Sequence, residues 1–128
     1  MIKLSNLKAW KVGTMAELVR ADGALVLKLS TIEKAEGVHG DITVPLSSVQ
    51  DITVVDDIIR AVHGIKLPGS RIPGVFAMGT FLSGNEKIFA IVHHQNQRGV
   101  RVRLHGETFD TLLVGAENPE KLVESLGY

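Results

Sequence analysis

The sequence predicts a mainly β domain of about seven antiparallel strands capped by one C-terminal α-helix. Three observations carry this prediction: apolar and polar residues mostly alternate with a period of two, turn-forming residues separate the alternating runs, and the clearest helix signals stand at the C-terminus. With 128 residues, 45% of them hydrophobic, the chain has the size of one domain, residues 1–128, and can bury its own core.

Four strands are predicted in the first half of the chain. Residues 15–20 and 24–29 flank Asp22-Gly23, a dipeptide typical of two-residue hairpin turns. Residues 41–45 form the third strand, which ends on a proline, a residue that cannot donate to a sheet ladder. Residues 49–55 form the fourth.

The next segment, residues 56–63, allows two interpretations. Its two aspartates before an apolar pair predict one helical turn that ends at Gly64, and an irregular crossing segment fits equally well. Residues 64–74 then hold three glycines and two prolines. We predict that they form a rigid crossover between the two halves of the domain, because such residues suit a sharp corner.

Two strongly apolar strands follow at residues 75–82 and 87–92, joined by a hairpin turn at 83–86. Both are apolar on both faces, whereas a strand with one face in water should alternate. A second layer must therefore cover part of them. The terminal helix together with residues 64–74 is one predicted cover, and another subunit is the alternative.

The last strands are predicted at residues 100–104 and 111–114, and a short helix follows them. Asn118 is a favoured N-cap, Pro119 takes the first helical position, and Glu120 complements the helix dipole. A helix this short is unstable alone, so it must pack on the sheets.

The motifs that suggest a family are Gly64, Pro68-Gly69, Arg71, Pro73-Gly74, Gly79-Thr80, Phe109-Asp110, Leu112-Leu113-Val114 and Asn118-Pro119-Glu120. With these motifs, residues 63–126 resemble small bacterial PH-like (pleckstrin-homology-like) domains of uncharacterised function. The resemblance implies a split barrel of two orthogonal sheets with one open corner plugged by residues 118–126. It implies no catalytic residue, and it implies binding of peptides, partner proteins or lipid headgroups.

Lipid binding is not predicted for this chain. Phosphoinositide-binding relatives carry a lysine and paired arginines around the first hairpin, but here Lys11, Arg20 and Lys28 are widely spaced, with Glu17 and Asp22 among them. Acidic and basic residues number 14 each, so the net charge is zero and gives no overall attraction to an anionic membrane or to nucleic acid.

Arg71 is the first candidate binding residue. In the functional interpretation, its glycine- and proline-rich frame holds it, with Lys66 nearby, to contact an anion or a carboxylate. In the structural interpretation, Arg71 instead bonds loop carbonyls or pairs with Asp56 or Asp57.

Arg101 and Arg103 are the second pair of candidates. They alternate with apolar residues, so both lie on the outward face of a strand, as a positive ridge that suits phosphate or an acidic partner. The alternative is a solvated strand face paired with glutamates such as Glu107. No aromatic residues interleave, so nucleic-acid binding is not predicted.

Catalysis, metal binding and cofactors are not predicted. Cysteine is absent, and no nucleophile elbow or phosphate-binding glycine loop is present. His93 and His94 are adjacent, so on a strand they point to opposite faces and cannot bind one ion together.

Together these patterns predict a non-catalytic, cytoplasmic interaction module for an unknown protein or peptide, with a homo-oligomer as a further expectation. Docking would use a sheet edge or the corner beside the terminal helix, with polar contacts from Lys66, Arg71, Arg101 and Arg103. The alternative function is a small-anion or small-molecule binding domain with its site at residues 64–74.

Overall fold

The computed structural model describes residues 16–30, 34, 39–72, 76–93 and 98–128. Within these residues the chain forms nine strands, two α-helices and one 3-10 turn (Leu46–Ser48). The strands are β1 (Glu17–Ala21), β2 (Ala24–Lys28), β3 (Ile42–Pro45), β4 (Val49–Val55), β5 (Ile65–Ile72), β6 (Phe76–Ser83), β7 (Glu86–His93), β8 (Gly99–Leu104) and β9 (Thr111–Gly115). The helices are α1 (Ile58–Ala61) and α2 (Pro119–Ser125). The predicted class, mainly β with a C-terminal helix, is confirmed.

The strands form two separate sheets. The small sheet has the order β1-β2-β3, and the large sheet has the order β4-β8-β9-β7-β6-β5. Neighbouring strands run antiparallel, except that β7 and β9 are parallel. The sequence therefore predicts the antiparallel hairpins correctly but misses this parallel pair, whose partners are distant along the chain.

The hairpins predicted from turn residues are confirmed. β1 and β2 pair directly around Asp22-Gly23, and both turn residues have positive φ, as a tight hairpin turn requires. β6 and β7 pair in register from Phe76 opposite His93 to Ser83 opposite Glu86. Local turn chemistry is enough to specify such pairings, because the two strands are adjacent in sequence.

The central core lies between the two sheets. The small sheet contributes alternate residues such as Leu25 and Leu27, both almost fully buried, and the large sheet contributes Phe89 and Leu112. The partly buried side chains of α2 pack against the same core. The arginine at position 20 in β1 donates from Nη1 to the carbonyl oxygen of Leu126 at 3.1 Å, which ties the end of α2 to the small sheet.

A second core covers the outer face of the large sheet, which is the face turned away from the small sheet. Ile58 of α1 and Val62 pack there against Phe81, Ile88 and other apolar residues of β6, β7 and β9. The strands β6 and β7, which are apolar on both faces, are thus covered on the outer face in part by α1, whereas α2 packs on the opposite face. The predicted cover is the terminal helix together with residues 64–74. The helix α2 does pack, with the small sheet, against the cluster that holds Met78, Phe89 and Ile91, and α1 adds the cover on the outer face.

Residues 64–74 also differ from the prediction. Instead of a crossover, Ile65–Ile72 forms the edge strand β5, which pairs with β6. The register shifts between Lys66 and Gly69, so Leu67 and Pro68 fall in an irregularity of the ladder. An edge strand with a bulge tolerates a proline, because the missing N–H is not needed there.

The start of α2 is capped as predicted. The Asn118 side chain accepts a hydrogen bond from the backbone N–H of Lys121 at 3.2 Å, and Pro119 takes the first helical position. We expect Asn118→Ala to lower the free energy of unfolding by about 1 kcal/mol, because one helix N–H loses its partner. Urea denaturation measures this loss. Glu124→Ala, an exposed change on the same helix, should change stability by less than about 0.5 kcal/mol, and an equal loss in both variants would contradict the capping role.

Candidate functional site

The arginines of β8 lie on the outer face of the large sheet. Their neighbours Val100, Val102 and Leu104 are buried in the central core, so the alternation of the strand turns Arg101 and Arg103 the other way. Arg103 is exposed and Arg101 is partly buried. The predicted outward ridge on this strand is therefore present.

Beside these arginines, the outer face has a polar cavity of about 260 Å³. Its polar and charged lining comes from His63, Glu86, Arg101, Arg103 and Thr111. Ala61 at the end of α1, together with Ile88 and Leu113 of the sheet, supplies the apolar part. Strands β7, β8 and β9 and the segment after α1 thus converge on one place.

Glu86 is held at this cavity from two sides. The Thr111 hydroxyl donates to Glu86 Oε2 at 2.6 Å, and Thr111 itself is only 4% exposed. On the other side, His63 Nε2 lies 3.5 Å from Glu86 Oε1. His63 Nδ1 lies 2.8 Å from the carbonyl oxygen of Ala61, which can only accept, so Nδ1 carries a proton. The carboxylate is therefore fixed in position by a hydroxyl and faced by an imidazole.

The side chains of the two arginines have no ion-pair or hydrogen-bond partner among the residues that the structure describes. Asp51 of β4 stands opposite Arg103 in the ladder, but no ion pair joins them, and the buried Oδ1 of Asp51 has no hydrogen-bond partner in the described part of the chain. The predicted pairing with Glu107 is also absent, since Glu107 accepts instead from the Ser48 hydroxyl at 2.7 Å. Two guanidinium groups thus remain open to a ligand.

The other two candidate residues lie elsewhere. Lys66 and Arg71 belong to β5, where they stand opposite Phe81 and Ala77 of β6. Three strands separate β5 from β8, which corresponds to about 19 Å across the sheet. The backbone therefore does not bring the four candidates into one cluster. The side chains of β5 and residues 73–75 lie outside the described part, so the role of Arg71 and the alternative site at 64–74 remain predictions.

The acidic residues proposed as structural partners of Arg71 have other partners. Asp57 caps α1 and pairs with Arg60, and Asp56 accepts from Arg98 at 3.1 Å. Arg98 also donates to both carboxylate oxygens of Glu120, and this hydrogen bonding is the main cause that lowers the pKa of Glu120. Arg98 thus bridges the end of β4 to the start of α2, which is a structural role.

Of the adjacent histidines His93 and His94, the structure describes only the backbone of His93. His93 ends β7, its side chain is not among those described, and His94 lies outside the described residues, so their predicted opposite orientations are untested. Among the residues that are described, no three histidine, aspartate or glutamate side chains form a group that could hold a metal ion.

His63, Glu86 and Thr111 were missed as site residues by sequence reasoning. Glu86 and Thr111 each open a strand, and they come together because β7 and β9 are parallel, with Ile88 opposite Thr111. The one sequence signal of Glu86 and Thr111 is that each is a polar residue at the start of an otherwise apolar strand. That signal cannot specify a partner 25 residues away.

We compared the chain with protein-family models, with curated proteins and with solved structures, and none of them matches. The PH-like resemblance accordingly stays a prediction. Neither helix formed by the described residues is long and apolar enough to cross a membrane.

Proposed function

We propose that this protein is a non-catalytic, PH-like interaction module that binds an acidic segment of a protein or peptide at the cavity beside β8. The observation that carries the proposal is the pair Arg101 and Arg103, which share one sheet face and have no partner within the described residues. Arginine suits this role because its planar guanidinium binds carboxylates and phosphates with two parallel hydrogen bonds.

The size of the cavity favours a large partner over a free small molecule. Its volume of about 260 Å³ lies just below the range of about 300–1,000 Å³ that is usual for small-molecule sites. Such a space accommodates one charged group, and a partner that presents this group on a peptide can gain further contacts on the surrounding face. The protein therefore acts by recognition of an acidic side chain in its context.

We propose that the module acts in the cytoplasm. A chain without cysteine forms no disulfide bonds, which agrees with a reducing compartment. Self-association remains part of the proposal, but the strands that suggested it, which are apolar on both faces, are partly covered by α1. Among the side chains that the structure describes, which leave out those of residues 65–76, Tyr128 is the only large apolar one that is exposed. Light scattering of the pure protein decides between monomer and oligomer.

The proposal is tested by titration with a hexaglutamate peptide, followed by NMR chemical shifts. We expect shifts at β8 and around the cavity, and we expect the double change Arg101→Glu with Arg103→Glu to weaken binding at least about tenfold, since both attractive charges become repulsive.

The matched control reverses two exposed lysines on other elements, Lys28→Glu in β2 and Lys121→Glu in α2. This control changes the net charge by the same amount and should leave affinity within about twofold, because distant exposed charges are screened by salt. An equal loss in both double variants would show attraction by net charge alone and overturn the proposed site. Failure of the native protein to bind the peptide would overturn the proposal as well.

A further inference from the structure

We infer that the cavity takes a doubly charged tetrahedral oxyanion, of the phosphate or sulfate class, and that its affinity is set by protonation of His63. The inference rests on the proposed function, because it assigns the ligand chemistry and the regulation of the same site. Its basis is the arrangement of four charged or titratable groups around one space: His63, Glu86, Arg101 and Arg103.

The charges of these groups favour a dianion when His63 is protonated. The imidazolium then neutralises Glu86, its neighbour at 3.5 Å, and the two arginines, neither of which forms an ion pair within the described residues, present two positive charges to the cavity. Asp51, opposite Arg103 in the ladder, does not line the cavity. When His63 is neutral, Glu86 is uncompensated, and its carboxylate repels an incoming anion. One proton thus changes the net charge that faces the ligand.

Protonation of His63 changes its interaction with Glu86, because the ring nitrogen that gains the proton is the one that faces the carboxylate. Nδ1 carries the proton that bonds the Ala61 carbonyl, so in the neutral ring Nε2 presents a lone pair toward the carboxylate. Protonation at Nε2 turns this unfavourable contact into an ion pair. Glu86 cannot simply turn away without losing the hydroxyl of Thr111, which holds its other oxygen.

The groups that face His63 come from each element around the cavity. They are Glu86 at the start of β7, Arg101 and Arg103 in β8, and the hydroxyl of Thr111 in β9; from α1 only the carbonyl of Ala61 takes part. A dianion bound among these groups attracts the imidazolium as well as the two guanidinium groups. Binding of the anion and binding of the proton therefore strengthen one another, as thermodynamic linkage requires.

The spacing of the arginines suits a tetrahedral group better than a planar one. Arg101 and Arg103 are two residues apart on one strand face, so their Cα atoms stand about 7 Å apart and both side chains can reach the same space. A carboxylate has two oxygens, which one guanidinium can occupy fully. A phosphate or sulfate group offers oxygens to both guanidiniums at once.

Calorimetric titration with sodium sulfate tests the inference, because sulfate keeps its double charge where histidine changes its own. We expect sulfate to bind about fivefold more tightly at about pH 5.5 than at about pH 8, the effect of one additional half-exposed charge. His63→Gln should remove this pH dependence and leave the weaker binding. His105→Gln, which alters an exposed histidine outside the cavity, should behave like the native protein.

A second pair of probes identifies the source of the anion. At about pH 7, a short neutral peptide with one phosphoserine is compared with inorganic phosphate. Tighter binding of the peptide assigns a phosphorylated side chain as the ligand; equal binding assigns free phosphate and contradicts the proposed preference for a peptide. In both cases Arg101→Glu with Arg103→Glu should abolish binding.

The inference is overturned if sulfate and phosphate do not bind, or if the pH dependence persists in His63→Gln. Hexaglutamate that still binds through the two arginines would then show that the proposed function holds and only the dianion and its proton switch are wrong. Because His63 is 53% exposed at its side chain, its replacement should leave the fold intact, which circular dichroism checks.

Discussion

Phe89→Ala should lower the free energy of unfolding by about 3–5 kcal/mol, the usual cost of deleting a buried phenylalanine ring from a core. Phe89 is fully buried in β7, a strand inside the large sheet, and it points into the central core. Its ring packs 5.3 Å from the ring of Phe109 and 5.0 Å from that of His39. The substitution removes this ring from the central core and leaves a cavity beside Phe109.

Urea denaturation followed by circular dichroism measures this effect. Tyr128→Ala is the matched control, because Tyr128 is an aromatic residue at the exposed C-terminus, and we expect a change below about 0.5 kcal/mol. A loss of less than about 1 kcal/mol in Phe89→Ala would mean that the core tolerates this cavity and would contradict the packing described here.

Gly64→Ala should cost about 3 kcal/mol and should also disturb the candidate site. Gly64 has a φ of 104°, which alanine rarely adopts, and an added Cβ would collide with the backbone carbonyl of Leu82. The chain must therefore shift at the start of β5. Because His63 is the preceding residue, we expect its contact with Glu86 to be lost as well.

Gly84→Ala separates the cost of a positive φ from the cost of the steric clash with Leu82. Gly84 also has a positive φ, 60°, but an added Cβ there meets nothing within 4 Å, so this variant should cost only about 1 kcal/mol. The loss of the His63 contact is read from the NMR chemical shifts of the His63 ring, which should change in Gly64→Ala and stay unchanged in Gly84→Ala. Equal stability of the two variants would refute the steric conflict at Leu82.

Those parts of the fold that depend on neighbouring residues could be predicted from the sequence. The turn Asp22-Gly23 specifies its hairpin, and Asn118 with Pro119 specifies the start of α2, because each involves only a few consecutive residues. Alternation along β8 likewise predicts the outward face of Arg101 and Arg103.

The segment 64–74 shows where such reasoning fails. Its glycines and prolines predict a corner, yet most of it is an edge strand with an irregular register. An edge strand pairs on one side only, and β6 supplies the pairing that the local sequence disfavours. Tertiary pairing thus overrides local propensity at the border of a sheet.

By itself, the sequence determined the fold class, the local hairpins, the terminal helix and the face on which two arginines stand. Only the tertiary structure decided that α1 covers the outer face and that His63, Glu86 and Thr111 meet beside those arginines. The reason is physical: turns, caps and alternation depend on interactions between near neighbours, whereas the cavity depends on the parallel pairing of β7 with β9 and on the path of the chain from α1 to β5. Those contacts join residues far apart in the chain, and only the packed sheets select them.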